Sequence, residues 1–98
     1  MTQPEVTLAL ETRVVRKAEL PSTKVDNDVV VLNVATQNYV GLDDIGGALW
    51  ELLAEPQQVA DLCRIMCARY DGPPEEIAAD VTAFLAELHR EGLIAVVT

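Results

Sequence analysis

Runs of hydrophobic residues divide the chain into a strand-rich first half and a helical second half. The continuous β-branched run at 29–34 is the clearest strand signal, and it favours a strand that is central in its sheet or covered on both faces. Residues 36–38 are predicted to turn, and residues 39–42 to return as the next strand. Residues 13–16 are predicted as the first strand, on the far side of the central one, with a loop at 19–23. Residues 39–42 then form a sheet edge.

The first eleven residues are predicted to form an arm, either flexible or weakly paired with the sheet. Val6, Leu8 and Leu10 alternate with polar or small residues, which is typical of a half-buried strand. A chain of 98 residues can build one modest core, so residues 1–98 are expected to form a single domain.

Three amphipathic helices are predicted after the strands. The first runs from about Asp44 to Ala54 with Asp43 as N-cap, and its apolar stripe consists of Ile45, Leu49, Leu52 and Leu53. The second begins near Pro56, a residue suited to the first helical position, and presents Val59, Leu62, Cys63, Met66 and Tyr70 on one face. This order of elements predicts an α+β fold that is winged helix-turn-helix-like, with a three-stranded antiparallel sheet packed on three helices.

The third helix is predicted from about Glu75 to Glu91, and it ends at Gly92, a residue suited to the position after a helix. Its surface divides into two stripes at 100° per residue. The apolar stripe consists of Ile77, Val81, Leu85 and Leu88, and the adjoining acidic stripe of Glu76, Asp80, Glu87 and Glu91. Phe84 lies at the boundary between them.

Gly46 and Gly47 stand in the first turn of the first helix, where each costs roughly 1 kcal/mol relative to alanine. Two interpretations remain open. The helix packs tightly against its own sheet, or another backbone approaches it closely.

The charge of −9 is concentrated in residues 41–98, which hold eleven acidic and three basic residues. Such a surface repels the phosphate backbone that dominates nucleic-acid affinity, so a nucleic-acid partner is not expected. It would attract a basic peptide, although acidic residues also serve simply to keep a small domain soluble. No apolar run approaches the roughly 20 residues needed to span a bilayer, and residues 1–5 do not resemble a signal peptide. We expect a cytoplasmic protein with no membrane partner.

Nothing in the sequence assembles a catalytic or metal site, so we expect neither enzymatic activity nor a cofactor. Cys63 and Cys67 are expected to pack in the core, because no second cysteine pair completes a zinc site. His89 is the only histidine and is expected on the exposed side near a helix C-terminus, where the helix dipole favours its protonated form.

The open strand edge and the third helix predict a peptide-binding site. Strand addition at residues 39–42 would supply main-chain hydrogen bonds, and a helix along that edge would supply side-chain pockets. In that helix Val81, Phe84 and Leu88 would form an apolar wall, with Asp80 and Glu87 as a polar rim. A peptide with one or two apolar anchors and a basic residue would be complementary. Val81 and Leu88 are alternatively only core residues.

An ordered set of short motifs carries a family resemblance over about residues 12–95. It consists of Val30-Val31-Leu32, Tyr39-x-Gly41-Leu42-Asp43-x-x-Gly46-x-x-Leu49-Trp50-x-Leu52-Leu53, Val59-x-x-Leu62, Tyr70, Asp80-Val81-x-x-Phe84-Leu85-x-x-Leu88 and Gly92-Leu93-Ile94. This set resembles the PqqD-like leader-peptide-binding domains, also called RiPP recognition elements, where RiPP stands for a ribosomally synthesised and post-translationally modified peptide. It is most similar to the stand-alone versions of lasso-peptide biosynthesis. Ala48 and the preceding glycine pair depart from lasso relatives, which often carry a bulkier polar residue after the glycine.

The resemblance implies a non-catalytic adaptor that binds the leader region of a precursor peptide as an added strand. The leader of the lasso group offers a Tyr-x-x-Pro-type motif, and the adaptor delivers the precursor to a separate, cysteine-protease-like leader peptidase upstream of an ATP-dependent cyclase. Carried onto this sequence, the implied peptide-binding residues are Tyr39, Val40, Gly41, Leu42, Asp43, Ile77, Asp80, Val81, Phe84, Leu85 and Leu88.

The sequence leaves four alternatives open. The first is an adaptor of pyrroloquinoline quinone or other modified-peptide biosynthesis that works with a radical SAM enzyme. The second is a DNA-binding winged helix, which would need a basic recognition helix. The third is an enzyme subunit that stabilises a complex without touching substrate. Finally, the open strand edge could pair with a second copy in a weak homodimer.

Overall fold

The computed structural model of the chain describes residues 8–26 and 28–97. In chain order they form β1 (Arg13–Arg16), β2 (Ser22–Val25), β3 (Asp28–Asn33), β4 (Asn38–Leu42), α1 (Asp44–Leu52), β5 (Gln57–Gln58), α2 (Val59–Arg69), α3 (Pro74–Arg90) and β6 (Ile94–Val97). The predicted α+β class, with a three-stranded antiparallel sheet and three helices, is confirmed. None of the described helices is both long and apolar enough to cross a membrane.

The strands form two three-stranded sheets, in the orders β2-β3-β4 and β5-β1-β6. The central position of β3 is confirmed, but the prediction that residues 13–16 lie beside it is wrong. That place belongs to β2, which begins inside the predicted loop at 19–23 and pairs with β3 from Ser22↔Val31 to Val25↔Asp28. Asp26 adopts a positive φ of 57°, which suits the tight connection of a hairpin. Strand β1 instead pairs with β6, from Arg13↔Val97 to Arg16↔Ile94.

The arm preceding β1 is also more ordered than predicted where the structure describes it. Thr12 N–H donates to the carbonyl of Ala9 at 3.0 Å, and the Leu10 carbonyl accepts from Ala60 at the start of α2. Leu8 is buried in the core, whereas Leu10 is exposed. In place of the predicted alternating strand there is a turn at residues 10–11, closed by this Thr12–Ala9 hydrogen bond, and Val6 lies outside the described residues.

The helix boundaries agree closely with the sequence prediction. Asp43 caps α1, where its Oδ1 accepts from Gly46 N–H at 2.8 Å. The predicted start of α2 at Pro56 is too early, because residues 57–58 form β5 against β1. The end of α3 at Gly92 is confirmed by a φ of 77° at this residue.

Side chains from all three helices and both sheets form one core. Its largest fully buried members are Trp50, Leu49, Leu53, Leu62, Met66, Leu85, Leu93, Ile94, Val14, Val31 and Val59. Cys63 is buried as predicted, and burial raises the pKa of its thiol, whereas Cys67 is only half-buried. Two details of the predicted α1 stripe are wrong: it omits Trp50, which is buried, and it includes Ile45, which is 43% exposed.

The glycine pair of α1 is explained by close packing within the chain. A Cβ atom on Gly47 would lie 2.9 Å from Cγ2 of Val29 in β3, so α1 sits directly on its own sheet. A Cβ atom on Gly46 would lie 3.0 Å from Cζ of Phe84 in α3. Tight packing of the helix against its own sheet therefore explains Gly47. Gly46 instead leaves room for the Phe84 side chain of α3.

Candidate functional site

A groove runs between the edge strand β4 and one side of α3. Its strand wall is formed by residues 38–42 and its helix wall by Phe84, Glu87, Leu88 and Glu91, which recur at the i, i+3, i+4, i+7 spacing of one helix face. The groove encloses a volume of about 560 Å³. We call it the strand-edge groove.

A second depression continues this groove toward the start of α3, and we call it the apolar cavity. It has a volume of about 270 Å³ and lies where the start of α1, the end of α2 and the first half of α3 converge. The residues that line it are Asp43, Ile45, Gly46, Leu49, Met66, Tyr70, Ile77, Asp80, Val81 and Phe84. Phe84 lines both depressions, so its ring stands at their junction.

The register of the sheet determines which backbone groups face the groove. Leu32 N–H donates to the carbonyl of Pro21 at 2.9 Å, so the backbone groups of Leu32 point toward β2. Alternate residues of a strand point to opposite neighbours, and Val31 therefore faces its partner Val40 in β4. It follows that the N–H and C=O groups of Val40 form hydrogen bonds with β3.

The backbone groups of Tyr39 and Gly41 alternate with those of Val40 and so point away from β3, toward the open edge. Within the described part of the chain no strand pairs with that side of β4. The predicted edge strand is thus present, with two residues whose N–H and C=O groups can accept an added strand.

Side chains of β4 divide between the two faces of the sheet. Leu42 is buried and Val40 is half-buried against the core, whereas Tyr39 is 74% exposed. Tyr39 is opposite Leu32, on the face directed away from the core. An added strand would therefore form hydrogen bonds with the backbone of Tyr39, and the ring of Tyr39 would lie beside that strand on the face of the sheet directed away from the core.

The structure brings together most of the predicted site residues. The strand-edge groove contains Tyr39, Val40, Gly41, Leu42, Phe84 and Leu88, and the apolar cavity contains Asp43, Ile77, Asp80, Val81 and again Phe84. Leu85 is the exception, because it is 0% exposed and lines neither depression. Val81 and Leu88 contribute to the walls although both are nearly buried.

Sequence reasoning missed several lining residues. Helical periodicity places Ile45, Met66 and Tyr70 on the apolar faces of their helices, and the structure shows that they border the apolar cavity. A helical stripe shows which face turns inward, but not where the inward faces of three helices fail to meet. Asn38 and Glu91 extend the strand-edge groove at its other end.

The chemistry available in these depressions is hydrogen bonding, apolar contact and negative charge. The carboxylates that line them are those of Asp43, Asp80, Glu87 and Glu91. Among residues 8–26 and 28–97, no group of three or more histidine, cysteine and acidic side chains is placed to hold a metal ion. The arrangement is therefore suited to binding an extended peptide.

Comparison with known proteins agrees with this architecture. The structure of TbiB1 in complex with the TbiA(beta) leader peptide has 29% sequence identity, covers 82% of this chain and 93% of its own, and superposes with a TM-score of 0.73. The solution structure of the PqqD truncation of Methylobacterium extorquens PqqCD, a functional and stand-alone RiPP recognition element, has 24% identity, covers 85% and 88%, and has a TM-score of 0.68. The latter supports the fold alone.

No curated protein matches the chain significantly. Residues 28–94, which include the β2-β3-β4 sheet from β3 onward and all three helices, match the family model of coenzyme PQQ synthesis protein D (PqqD). Since this match extends over more than half of the chain, the protein belongs to the PqqD family.

Proposed function

We propose that this protein is a non-catalytic recognition element that binds the leader region of a ribosomally made precursor peptide. The observation that carries the proposal is the open edge at Tyr39 and Gly41, which faces α3 across the strand-edge groove. An added strand there would satisfy the exposed backbone groups and lay alternate side chains against α3. The similarity to TbiB1, whose structure contains a leader peptide, supports the same function.

The apolar cavity would hold the anchor side chain of the leader. Its volume of about 270 Å³ is larger than the roughly 150 Å³ of an apolar cavity known to bind benzene, so an aromatic ring fits. Ile77, Val81 and Phe84 would contact this anchor, with Asp43 and Asp80 at the rim. The aromatic residue of a Tyr-x-x-Pro-type motif meets these requirements.

The pathway proposed for this adaptor is lasso-peptide biosynthesis in the cytoplasm. In this role it presents the bound precursor to a separate, cysteine-protease-like leader peptidase. The resemblance of the sequence motifs to the stand-alone lasso versions supports this pathway.

A second candidate is the adaptor of pyrroloquinoline quinone biosynthesis, whose partner is a radical SAM enzyme. The description of the matching family model favours it. Genes for a leader peptidase and a cyclase next to this one would support the lasso pathway, whereas genes of quinone synthesis would support this alternative.

The decisive experiment is a fluorescence anisotropy titration of the purified protein into a labelled leader peptide, taken from the precursor gene next to it. We expect saturable binding that unlabelled leader displaces and that the core region of the same precursor does not. Binding of the core alone, or no binding by folded protein, would overturn the proposal. For the peptidase partnership, leader cleavage by the neighbouring peptidase should accelerate when the adaptor is added.

A further inference from the structure

We infer that the site selects a cationic strand, with basic side chains at two positions on the side that faces α3. One basic residue would lie beside the apolar anchor, near Asp43 and Asp80. The other would lie about four residues further along the strand, near Glu87 and Glu91. This inference rests on the proposed function and adds the chemical class of the peptide to it.

Among the described residues, no basic group forms an ion pair with any of the four carboxylates of the site. All four residues are exposed, and the described residues that line the strand-edge groove and the apolar cavity include no lysine or arginine. The ion pairs found within residues 8–26 and 28–97 lie elsewhere, between Lys24 and Glu51 and between Arg64 and Asp61. The site therefore presents negative potential along its whole length, next to apolar walls that strengthen each charge interaction.

The spacing of the carboxylates along α3 sets the spacing expected in the peptide. Residues of a helix advance about 1.5 Å each, so Asp80 lies about 10 Å from Glu87 and about 16 Å from Glu91 along the axis. A strand advances about 3.4 Å per residue, and side chains four residues apart lie on the same face about 14 Å apart. Two basic residues at i and i+4 thus match the two carboxylate pairs.

A second copy of this chain is a poorer occupant of the same edge. Each copy carries a net charge of −9, and pairing of two β4 strands would bring the rims of two α3 helices together. Charged residues beside an open edge are a known protection against such self-pairing. The same carboxylates that repel a second copy attract a basic strand.

The test is a selection from a displayed library of random peptides about twelve residues long, roughly twice the six strand residues needed to span the distance from Asp80 to Glu91. We expect the selected peptides to be enriched in lysine or arginine at two positions four residues apart, relative to the unselected library. Their binding should weaken as NaCl rises from about 0.05 M to about 0.5 M, since salt screens exposed charges. Selected peptides without this enrichment would overturn the inference and leave the proposed function standing. Recovery of no binding peptide would count against both.

Matched variants distinguish the effect of the carboxylates beside the groove from the effect of the net charge of the protein. Glu87→Gln combined with Glu91→Gln should weaken a selected basic peptide about two- to fivefold per lost charge pair. The control is Glu11→Gln combined with Glu55→Gln, two exposed acids outside the site that change the net charge equally. If both double variants weaken peptide binding equally, Glu87 and Glu91 do not contact the basic peptide, and the inference is overturned.

Analytical ultracentrifugation of the wild-type protein tests whether a second copy of the chain occupies the open edge of β4. A dimer at micromolar concentration that becomes monomeric on Gly41→Pro substitution would show that a second copy fills the edge, and would overturn the inference. We expect a monomer.

Discussion

The strand-edge groove and the apolar cavity lie end to end along α3 and share Phe84, yet they offer different chemistry. The groove contributes the free backbone groups of Tyr39 and Gly41, which any extended peptide can use. The cavity contributes apolar side chains, which only a matching anchor can fill. Affinity and selectivity are thereby assigned to different ends of one helix, and substitutions at each end should affect them separately.

The largest expected effect is that of Gly41→Pro on peptide binding. Proline removes the N–H group that faces the open edge and places its ring where the incoming strand would lie, while the hydrogen bonds of Val40 to β3 remain. We expect a loss of about 2–3 kcal/mol in the binding free energy, measured by anisotropy. The loss should be similar for a leader with its anchor intact and for one with the anchor replaced by alanine.

Gly41→Ala is the matched control for this substitution. A Cβ atom on Gly41 would meet no atom within 4 Å, and alanine keeps the N–H group. Binding by the alanine variant should equal that of the wild type. If the proline variant, shown by circular dichroism to be folded, also binds normally, strand addition at this edge is wrong.

The second effect in size is that of Phe84→Ala, which removes the side chain shared by both depressions. We expect a loss of about 1–3 kcal/mol in binding free energy through lost apolar contact. Unlike the Gly41 variant, this one should lose less affinity for a leader whose anchor is already alanine, because the two groups interact. A double-mutant cycle over protein and peptide measures that coupling.

Leu85→Ala is the neighbouring control. Leu85 is fully buried and lines neither depression, so its truncation should lower the free energy of unfolding by about 2–5 kcal/mol without changing affinity at a temperature where the protein is folded. If Phe84→Ala reduces stability as much as it reduces binding, Phe84 is a core residue and the division between groove and cavity fails.

Much of this site could be predicted from the sequence because its signals are local. The turn at 36–38, the cap at Asp43 and the stop at Gly92 are read from a few consecutive residues. Together with the apolar run of β3 they place an edge strand directly before a helix. The spacing of residues along α3 then gives its groove-facing side.

Long-range pairing could not be predicted in the same way. Strand β1 is short and pairs with β6 at the other end of the chain, where Arg13 is opposite Val97. Nothing near residues 13–16 distinguishes that partner from β3. The apolar cavity likewise depends on how three helices converge, which explains why periodicity alone places Ile45 on the apolar stripe of α1 and does not reveal the cavity beside it.

A smaller effect, on stability alone, is expected from Gly47→Ala. The added Cβ atom would lie 2.9 Å from Cγ2 of Val29, so α1 must shift from the sheet or strain the valine side chain. We expect the free energy of unfolding to fall by about 1–2 kcal/mol in urea titrations, even though alanine is the better helix former. Gly46→Ala would instead press on the ring of Phe84, and should therefore change peptide affinity as well. A Gly47 variant with altered affinity but unchanged stability would contradict this assignment.

The smallest effect separates the two roles of Asp43, which caps α1 and lines the apolar cavity. Asparagine keeps an oxygen that can accept from Gly46 N–H but removes the charge, whereas alanine removes both. Asp43→Ala should therefore lower the free energy of unfolding by about 1 kcal/mol, and Asp43→Asn by only a few tenths. If the charge of Asp43 acts on the peptide, both variants should weaken a basic leader to the same small extent. Anisotropy at low salt would detect that loss, and a loss confined to the alanine variant would assign the whole effect to the helix cap.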